Sequence, residues 1–338
     1  MKALYYPEYG ELVVNDQPVP GIEADEVLLQ VAACGICGSE LETFAHRSER
    51  RKPPSIMGHE FSGTIARIGS QVTGLREGDR VVSNSIVACG ECAWCRRGET
   101  NLCPRRQVFG MHRGGAFAEY VNVPARCLIP MDAHTDFRAA CLTEPLANGV
   151  HMVGLTRHLA APRVLVLGAG PIGLMAQQAF QALTGAEVLV ADVRSERLEV
   201  ARRLGAARTL NPRETDLGEA IAELTASEWL PLVVDAVGME ATNRQGLALL
   251  RPGGTLVMIG LHQNGTPFQS YDIILREKKI TGSYAATQKD MAIALDLIAA
   301  GRVDVTSWVN YYPLPEGETA FRGMLSPGNT QIKSVIIL

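Results

Sequence analysis

Four cysteines crowd one short stretch, Cys89-x2-Cys92-x2-Cys95-x7-Cys103. Thiolates at this spacing can converge on one tetrahedral Zn2+, and four protein ligands leave no vertex for a substrate, so such a site stabilises its lobe instead of performing chemistry. An iron–sulfur cluster or unligated thiols are the alternatives. A second set, Cys37, His59, Glu60 and Glu144, has the residue types of an open zinc site with three protein ligands and an exchangeable position. Spacing alone leaves that set open, because a His beside a Glu is an ordinary polar pair. A third feature is Gly168-Ala169-Gly170-Pro171-Ile172-Gly173, which follows the run Val164-Leu165-Val166-Leu167 and opens a helix. Glycines there let backbone N–H groups approach a pyrophosphate at the positive end of that helix. The next apolar run, Val188 to Ala191, ends in Asp192, nineteen positions after Gly173, where a carboxylate accepts ribose hydroxyls. Asp192 repels a 2′-phosphate and argues for NAD over NADP, whereas Arg194 and Arg197 argue the other way. The competing reading of the turn is a glycine-rich bend in an α/β domain that binds no nucleotide.

Two kinds of element must carry these groups. Residues 1 to about 145 hold short alternating apolar runs, such as Val27-Leu28-Leu29-Gln30-Val31, broken by Gly and Pro. That is the pattern of an irregular β domain with function on its loops. From Arg163 onward, apolar strands alternate with helical segments, the signature of a doubly wound parallel sheet. Six strands are expected: Arg163 to Leu167, Glu187 to Ala191, Arg208 to Leu210, Leu232 to Asp235, Thr255 to Ile259 and Lys279 to Gly282. Ser195 is placed to cap the helix that ends at Gly205, and Pro252 with Gly253 to stop the helix that begins near Glu240. Thr287 with Asp290 has capping-box spacing for a last helix ending at Gly301, after which the tail returns to strand-like residues and rejoins the first domain. The expected boundaries are 1–148, 149–287 and 288–338.

Composition narrows the class. A chain of 338 residues exceeds what a single core organises, and its formal charge of -4 gives no basic surplus for nucleic acid or an anionic membrane. A small molecule is the expected partner. No apolar stretch suits a signal peptide or a membrane span, so the expected location is the cytoplasm, where eight cysteines point to metal and not to disulfides. Cys127 and Cys141, outside the tetrad, read as buried small hydrophobes.

Further motifs widen the comparison. Gly58-His59-Glu60-Phe61-Ser62-Gly63, continuing to Gly69, Val72 and Gly78-Asp79-Arg80-Val81, resembles the signature of the zinc-containing medium-chain alcohol dehydrogenases. Cys34-Gly35-Ile36-Cys37-Gly38-Ser39 resembles that family's catalytic cysteine segment, and the cysteine lobe, Glu144-Pro145-Leu146, the glycine turn and Val234-Asp235-Ala236-Val237-Gly238 follow in the family's order. Glu60 and Glu144-Pro145 look most like the polyol (sorbitol), threonine and sugar-alcohol dehydrogenase branch. The resemblance implies a GroES-like catalytic domain beside a Rossmann domain and two zinc ions per chain. It implies a reversible, NAD-linked oxidation of a secondary alcohol to a ketone, and a homodimer or homotetramer. By the same resemblance, Cys37, His59 and Glu60 ligate the catalytic zinc, while Glu144 takes the fourth position or hydrogen-bonds the water there. Ser39 is the proton relay. Gly168, Gly170, Pro171, Ile172, Gly173 and Asp192 hold the cofactor, with Arg197 near adenine, Val237, Gly260 and Leu261 near the nicotinamide half, and Ser283 at the cleft.

Several positions depart from the family pattern. Glu40 stands where an Asp is common, Glu42 where a His is common, and Gly114 and Ala116 differ in the Gly110 to Phe117 stretch. His46-Arg47-Ser48-Glu49-Arg50-Arg51-Lys52 is locally basic, which reads as a solvated loop or as a receptor for a carboxylate or phosphate on the substrate. Phe109 and His112 are candidates for the pocket or the core. The rival functions are a metal-independent NAD(P)H reductase and a non-catalytic dinucleotide-binding sensor.

Overall fold

Alternating apolar residues put strand Glu26–Gly35 in the middle of a seven-stranded sheet, where strands Glu60–Ile68 and Tyr120–Pro124 pair with it antiparallel. The C-terminal strand Lys333–Ile337 also pairs with it antiparallel, Val335 opposite Gly35, and carries the parallel strand Val309–Pro313 beyond it. The computed structural model describes residues 1–48 and 50–338. It divides into one unit of Met1–Ala147 with Ala286–Leu338, and another of Asn148–Ala285.

In the first unit, Phe44, Phe61, Phe109, Phe117 and Phe321 share one buried cluster. The rings of Phe61 and Phe109 meet edge to face, with centroids 5.2 Å apart, and Phe117 and Phe321 at 5.8 Å. Such pairs add about 0.5–1.5 kcal/mol beyond the area they bury. Phe109 is therefore a core residue.

The second unit holds six parallel strands whose spatial order, by sequence rank within the unit, is third, second, first, fourth, fifth, sixth. That order is the dinucleotide-binding Rossmann arrangement, with the crevice where the order reverses at the first strand. Two strands are longer than the sequence pattern suggests, Leu230–Asp235 and Leu250–Met258. The second begins before Pro252 and Gly253, so these residues lie within a strand, and the preceding helix Glu240–Ala248 has already stopped. Ser195 is the first residue of its helix and Arg194 the cap, because the Asp192 carboxylate already accepts the Arg194 N–H. The last helix, Gln288–Ala299, carries the capping box: Thr287 accepts from the Asp290 N–H, and the Asp290 carboxylate accepts from the Thr287 N–H at 2.9 Å. No described helix is long and apolar enough to cross a membrane.

Candidate active site and metal centres

The cysteine lobe is built from tight turns. Cys92 caps the one-turn helix Ala93–Arg96, which carries Cys95, and a 3-10 turn at Thr100–Leu102 delivers Cys103. The Sγ atoms of Cys92 and Cys95 are 3.5 Å apart, those of Cys89 and Cys95 3.8 Å, and those of Cys92 and Cys103 3.9 Å. A tetrahedron with Zn–S bonds of about 2.3 Å has edges of about 3.8 Å, so the sulfurs stand where one zinc ion needs them. They are too close together to enclose a cluster of several irons. None of the eight cysteines is in a disulfide. Arg105 Nη2 donates to Cys89 Sγ at 3.2 Å, which offsets part of the thiolate charge.

The second group forms where strand register brings distant segments together. Gly35 pairs with Glu60 across the sheet. Cys37 lies two residues beyond Gly35, as the cap of helix Gly38–Ala45, and His59 immediately precedes strand Glu60–Ile68. Cys37, His59 and Glu60 each offer one ligand atom, and these atoms all lie within 4.8 Å of one another. Gly35 is required there: a Cβ on it would sit 2.1 Å from Glu60 Oε2.

The buried Glu40 carboxylate organises this group. It accepts from His59 Nδ1 at 2.9 Å, from the Gly58 N–H at 2.8 Å and from the Cys37 N–H at 3.0 Å. Burial pushes the Glu40 carboxyl up, but His59, Arg51 and the backbone donor outweigh it and hold the group at about 2. Burial likewise disfavours a charged His59, yet Glu40 on one side and Cys37 on the other raise its pKa well above the usual histidine range. With Nδ1–H committed to Glu40, Nε2 is the ring nitrogen left for a metal, in the manner usual for ligating histidines. The residue type at position 40 departs from the family pattern, but its carboxylate still orients the histidine.

Glu144 lies at the start of helix Thr143–Thr156, outside the three-ligand cluster, and accepts from Ser85 Oγ at 2.6 Å. Burial raises its carboxyl above the usual carboxylate range. Ser39 is exposed on the first turn of helix Gly38–Ala45. Sequence reasoning missed Lys333, Ser85 and the role of Glu40. The Lys333 ammonium is buried against Glu60 at 2.7 Å. Burial opposes its charge, but Glu60 and Cys37 raise its pKa.

The basic segment divides. Arg51 is only 1% exposed, and donates to the Gly110 carbonyl at 2.6 Å and the Ser39 carbonyl at 3.1 Å, so it is a structural tie and no substrate receptor. Arg47 and Arg50 are exposed, and Glu49 lies outside the described residues. His112 is exposed, its Nδ1 accepting from the Val108 N–H.

In the second unit, Gly170 caps helix Pro171–Thr184 and Pro171 takes its first position. A Cβ on Gly173 would lie 1.8 Å from the Gly168 carbonyl oxygen, so only glycine lets the helix start this close to the strand. Asp192 accepts from the Ala169 N–H at 2.7 Å, which ties the acidic strand end to the turn, and Arg197 Nη1 is 4.0 Å from it. Gly260 packs against Val237 and Gly238 so closely that a Cβ would be 2.2 Å from the Val237 carbonyl carbon. Leu261 is exposed, and Ser283 Oγ is buried without a hydrogen-bond partner.

The family models agree with both halves: residues 23–133 match the alcohol dehydrogenase GroES-like domain, and residues 171–300 the zinc-binding dehydrogenase domain. The chain is 33% identical to D-arabitol-phosphate dehydrogenase of Enterococcus avium, over 98% of this chain and 95% of that one. It is also 33% identical to sorbitol dehydrogenase of Bacillus subtilis, over 99% and 97%. The chain belongs to the zinc-dependent medium-chain alcohol dehydrogenases. Within that family it falls in the polyol branch, as an alcohol and polyol oxidoreductase that uses zinc and NAD(P) to oxidise an alcohol to a ketone. A solved zinc-binding dehydrogenase of Sinorhizobium meliloti, bound to NADP, superposes with a TM-score of 0.92 at 30% identity, covering 100% of this chain and 99% of that one. This medium-chain dehydrogenase thus combines a GroES-like and a Rossmann fold.

Proposed function

We propose that Cys37, His59 and Glu60 hold the catalytic zinc of a dehydrogenase that oxidises a secondary alcohol on a polyol, sugar alcohol or sugar acid. The observation that carries this reading is the buried convergence of one thiolate, one imidazole and one carboxylate, apart from the tetrathiolate of Cys89, Cys92, Cys95 and Cys103. Zinc at the first site supplies Lewis acidity that acidifies a substrate hydroxyl. Glu40 keeps the His59 proton on Nδ1 and so presents Nε2. Ser39, exposed beside Cys37, takes the alcohol proton toward solvent. Glu144, engaged by Ser85, stays beside the ligands as an exchangeable fourth group.

The cofactor is NAD, held at the Gly168 to Gly173 turn, with Asp192 on the ribose hydroxyls. Arg197, Val237, Gly260, Leu261 and Ser283 complete the contacts. The buried Asp192 carboxylate supports NAD over NADP, because a 2′-phosphate there meets like charge. Arabitol phosphate as a relative's named substrate, together with exposed Arg47 and Arg50, supports an anionic substituent on the alcohol. The free thiols and the tetrathiolate support a reducing compartment, the cytoplasm. Strand Lys279–Gly282 forms one edge of the six-stranded sheet, and near it in sequence Tyr271, Ile274, Leu275, Ile280 and Tyr284 are exposed apolar residues. An open edge with such a patch suits pairing with a second copy across a twofold axis.

Metal analysis of active enzyme, with NAD and NADP reduction measured over sorbitol, sugar acids, polyol phosphates and short diols, tests the reading. Two zinc equivalents and faster turnover with NAD are expected. Full activity with one equivalent, confined to the tetrathiolate, overturns it. Loss of activity on a polyol phosphate but not on sorbitol in Arg50→Ala supports the anionic substrate, and equal losses count against it.

A further inference from the structure

Glu60 has a partner far away in the sequence. Lys333, 1% exposed, opens the C-terminal strand that flanks Glu26–Gly35 on the side opposite Glu60–Ile68. The Ile36 N–H donates to the Ser334 carbonyl at 2.9 Å, which fixes the register and turns Lys333 toward the metal group. Lys333 Nζ donates to the Ile36 carbonyl at 2.8 Å and to Glu60 Oε1 at 2.7 Å, and lies 2.5 Å from Glu60 Oε2. An ammonium has three protons. The Ile36 carbonyl and Glu60 Oε1 take two of them, while Oε2 is held by the ion pair without a hydrogen bond.

This arrangement alters the charge that a metal at Cys37, His59 and Glu60 experiences. A thiolate and an uncompensated carboxylate together cancel the charge of a divalent ion, which blunts its pull on an incoming oxygen. Lys333 restores one positive charge and, through its hydrogen bond to Oε1, draws electron density from the Glu60 carboxylate, leaving a weaker donor. An ammonium this deeply buried stays put, because breaking such a pair leaves an uncompensated buried charge. Resting on the reading that Cys37, His59 and Glu60 hold the catalytic zinc, we propose that Lys333 is a positioning residue that attenuates Glu60 as a metal ligand, keeping it exchangeable and the metal cationic.

The test replaces the catalytic zinc of the full-length enzyme with cobalt and follows its visible bands, its release to a chelator, and turnover. In Lys333→Met the full carboxylate charge passes to the metal. Release should slow by about tenfold, the cobalt bands should shift, and kcat should fall by about 10–100-fold with KM nearly unchanged. Lys333→Met combined with Glu60→Gln removes the pair together and should return release close to the wild-type rate. Unchanged or faster release from Lys333→Met overturns the proposal. If that variant does not fold, the double variant decides: release about tenfold faster than wild type would mean that the full charge of Glu60 holds the metal in the native enzyme, and also overturns it. Wild-type enzyme with zinc only in the tetrathiolate removes the underlying ligand assignment instead, a result distinguishable from two-zinc enzyme in which Lys333→Met changes nothing.

Discussion

Gly35 and Glu40 show how single residues shape the proposed metal site without being ligands. A methyl group on Gly35 meets Glu60 Oε2 at 2.1 Å and Cδ at 3.2 Å, so the carboxylate must leave its place. Gly35→Ala is expected to lose the catalytic zinc while the tetrathiolate stays loaded, which metal analysis reads as a fall from two equivalents toward one. Glu40→Gln keeps the shape but removes the charge that faces the His59 ring. Loss of such a partner costs about 10–100-fold in metal affinity or activity, measured here as zinc competition against a chelator. Affinity unchanged in Glu40→Gln would show that the backbone alone orients His59. Arg51 teaches the converse. A cluster of basic residues reads as a charged surface, yet one member is buried as a tie between the Gly110 and Ser39 carbonyls, because five donors on one side chain can satisfy several carbonyls at once.

At the scale of elements, the proposed cofactor turn lies at a helix start. Helix Pro171–Thr184 begins where Gly173 touches the Gly168 carbonyl, and any side chain there displaces the turn. Gly173→Ala is expected to weaken NADH binding by at least about 100-fold, or about 2.7 kcal/mol, in a fluorescence titration, with zinc content unchanged. Helix Gln288–Ala299 begins at a capping box read directly from Thr287 and Asp290. Thr287→Ala should cost about 1 kcal/mol, seen as a lower midpoint in thermal unfolding, with kcat little altered. Capping was not legible everywhere. Ser195 has a preferred capping side chain, but Asp192 reaches the Arg194 N–H first, and the helix starts one residue early. Pro252 and Gly253 look like helix breakers, yet they sit within a strand. The ladder pairs Leu250 and then Thr255–Met258, and Pro252 with Gly253, at φ 72°, takes up the register shift between them, so their turn chemistry survives as an irregularity inside the strand.

For the whole molecule, the open edge at Lys279–Gly282 and the exposed Tyr271 and Leu275 bear on assembly. The double variant Tyr271→Glu, Leu275→Glu is expected to shift the enzyme to a smaller species in analytical ultracentrifugation, with both zinc ions retained. A wild-type chain that sediments as a monomer would remove the second copy from that surface.

By itself the sequence determined whatever depends on neighbours along the chain. The four cysteines span a single short stretch, the glycine turn joins a strand to the helix that follows it, and Asp192 ends the next strand, so spacing was enough to read each. Family likeness pointed to Cys37, His59, Glu60 and Glu144, of which the first three converge. Only the tertiary structure decided which groups surround them. Glu60 and Lys333 are 273 positions apart and meet because two strands flank Glu26–Gly35 in a particular register. Ser85 reaches Glu144 across 59 positions, and Arg51 reaches Gly110 across the same number. Pairings of this kind are set by how sheets align and cores close, and residue spacing holds no record of that.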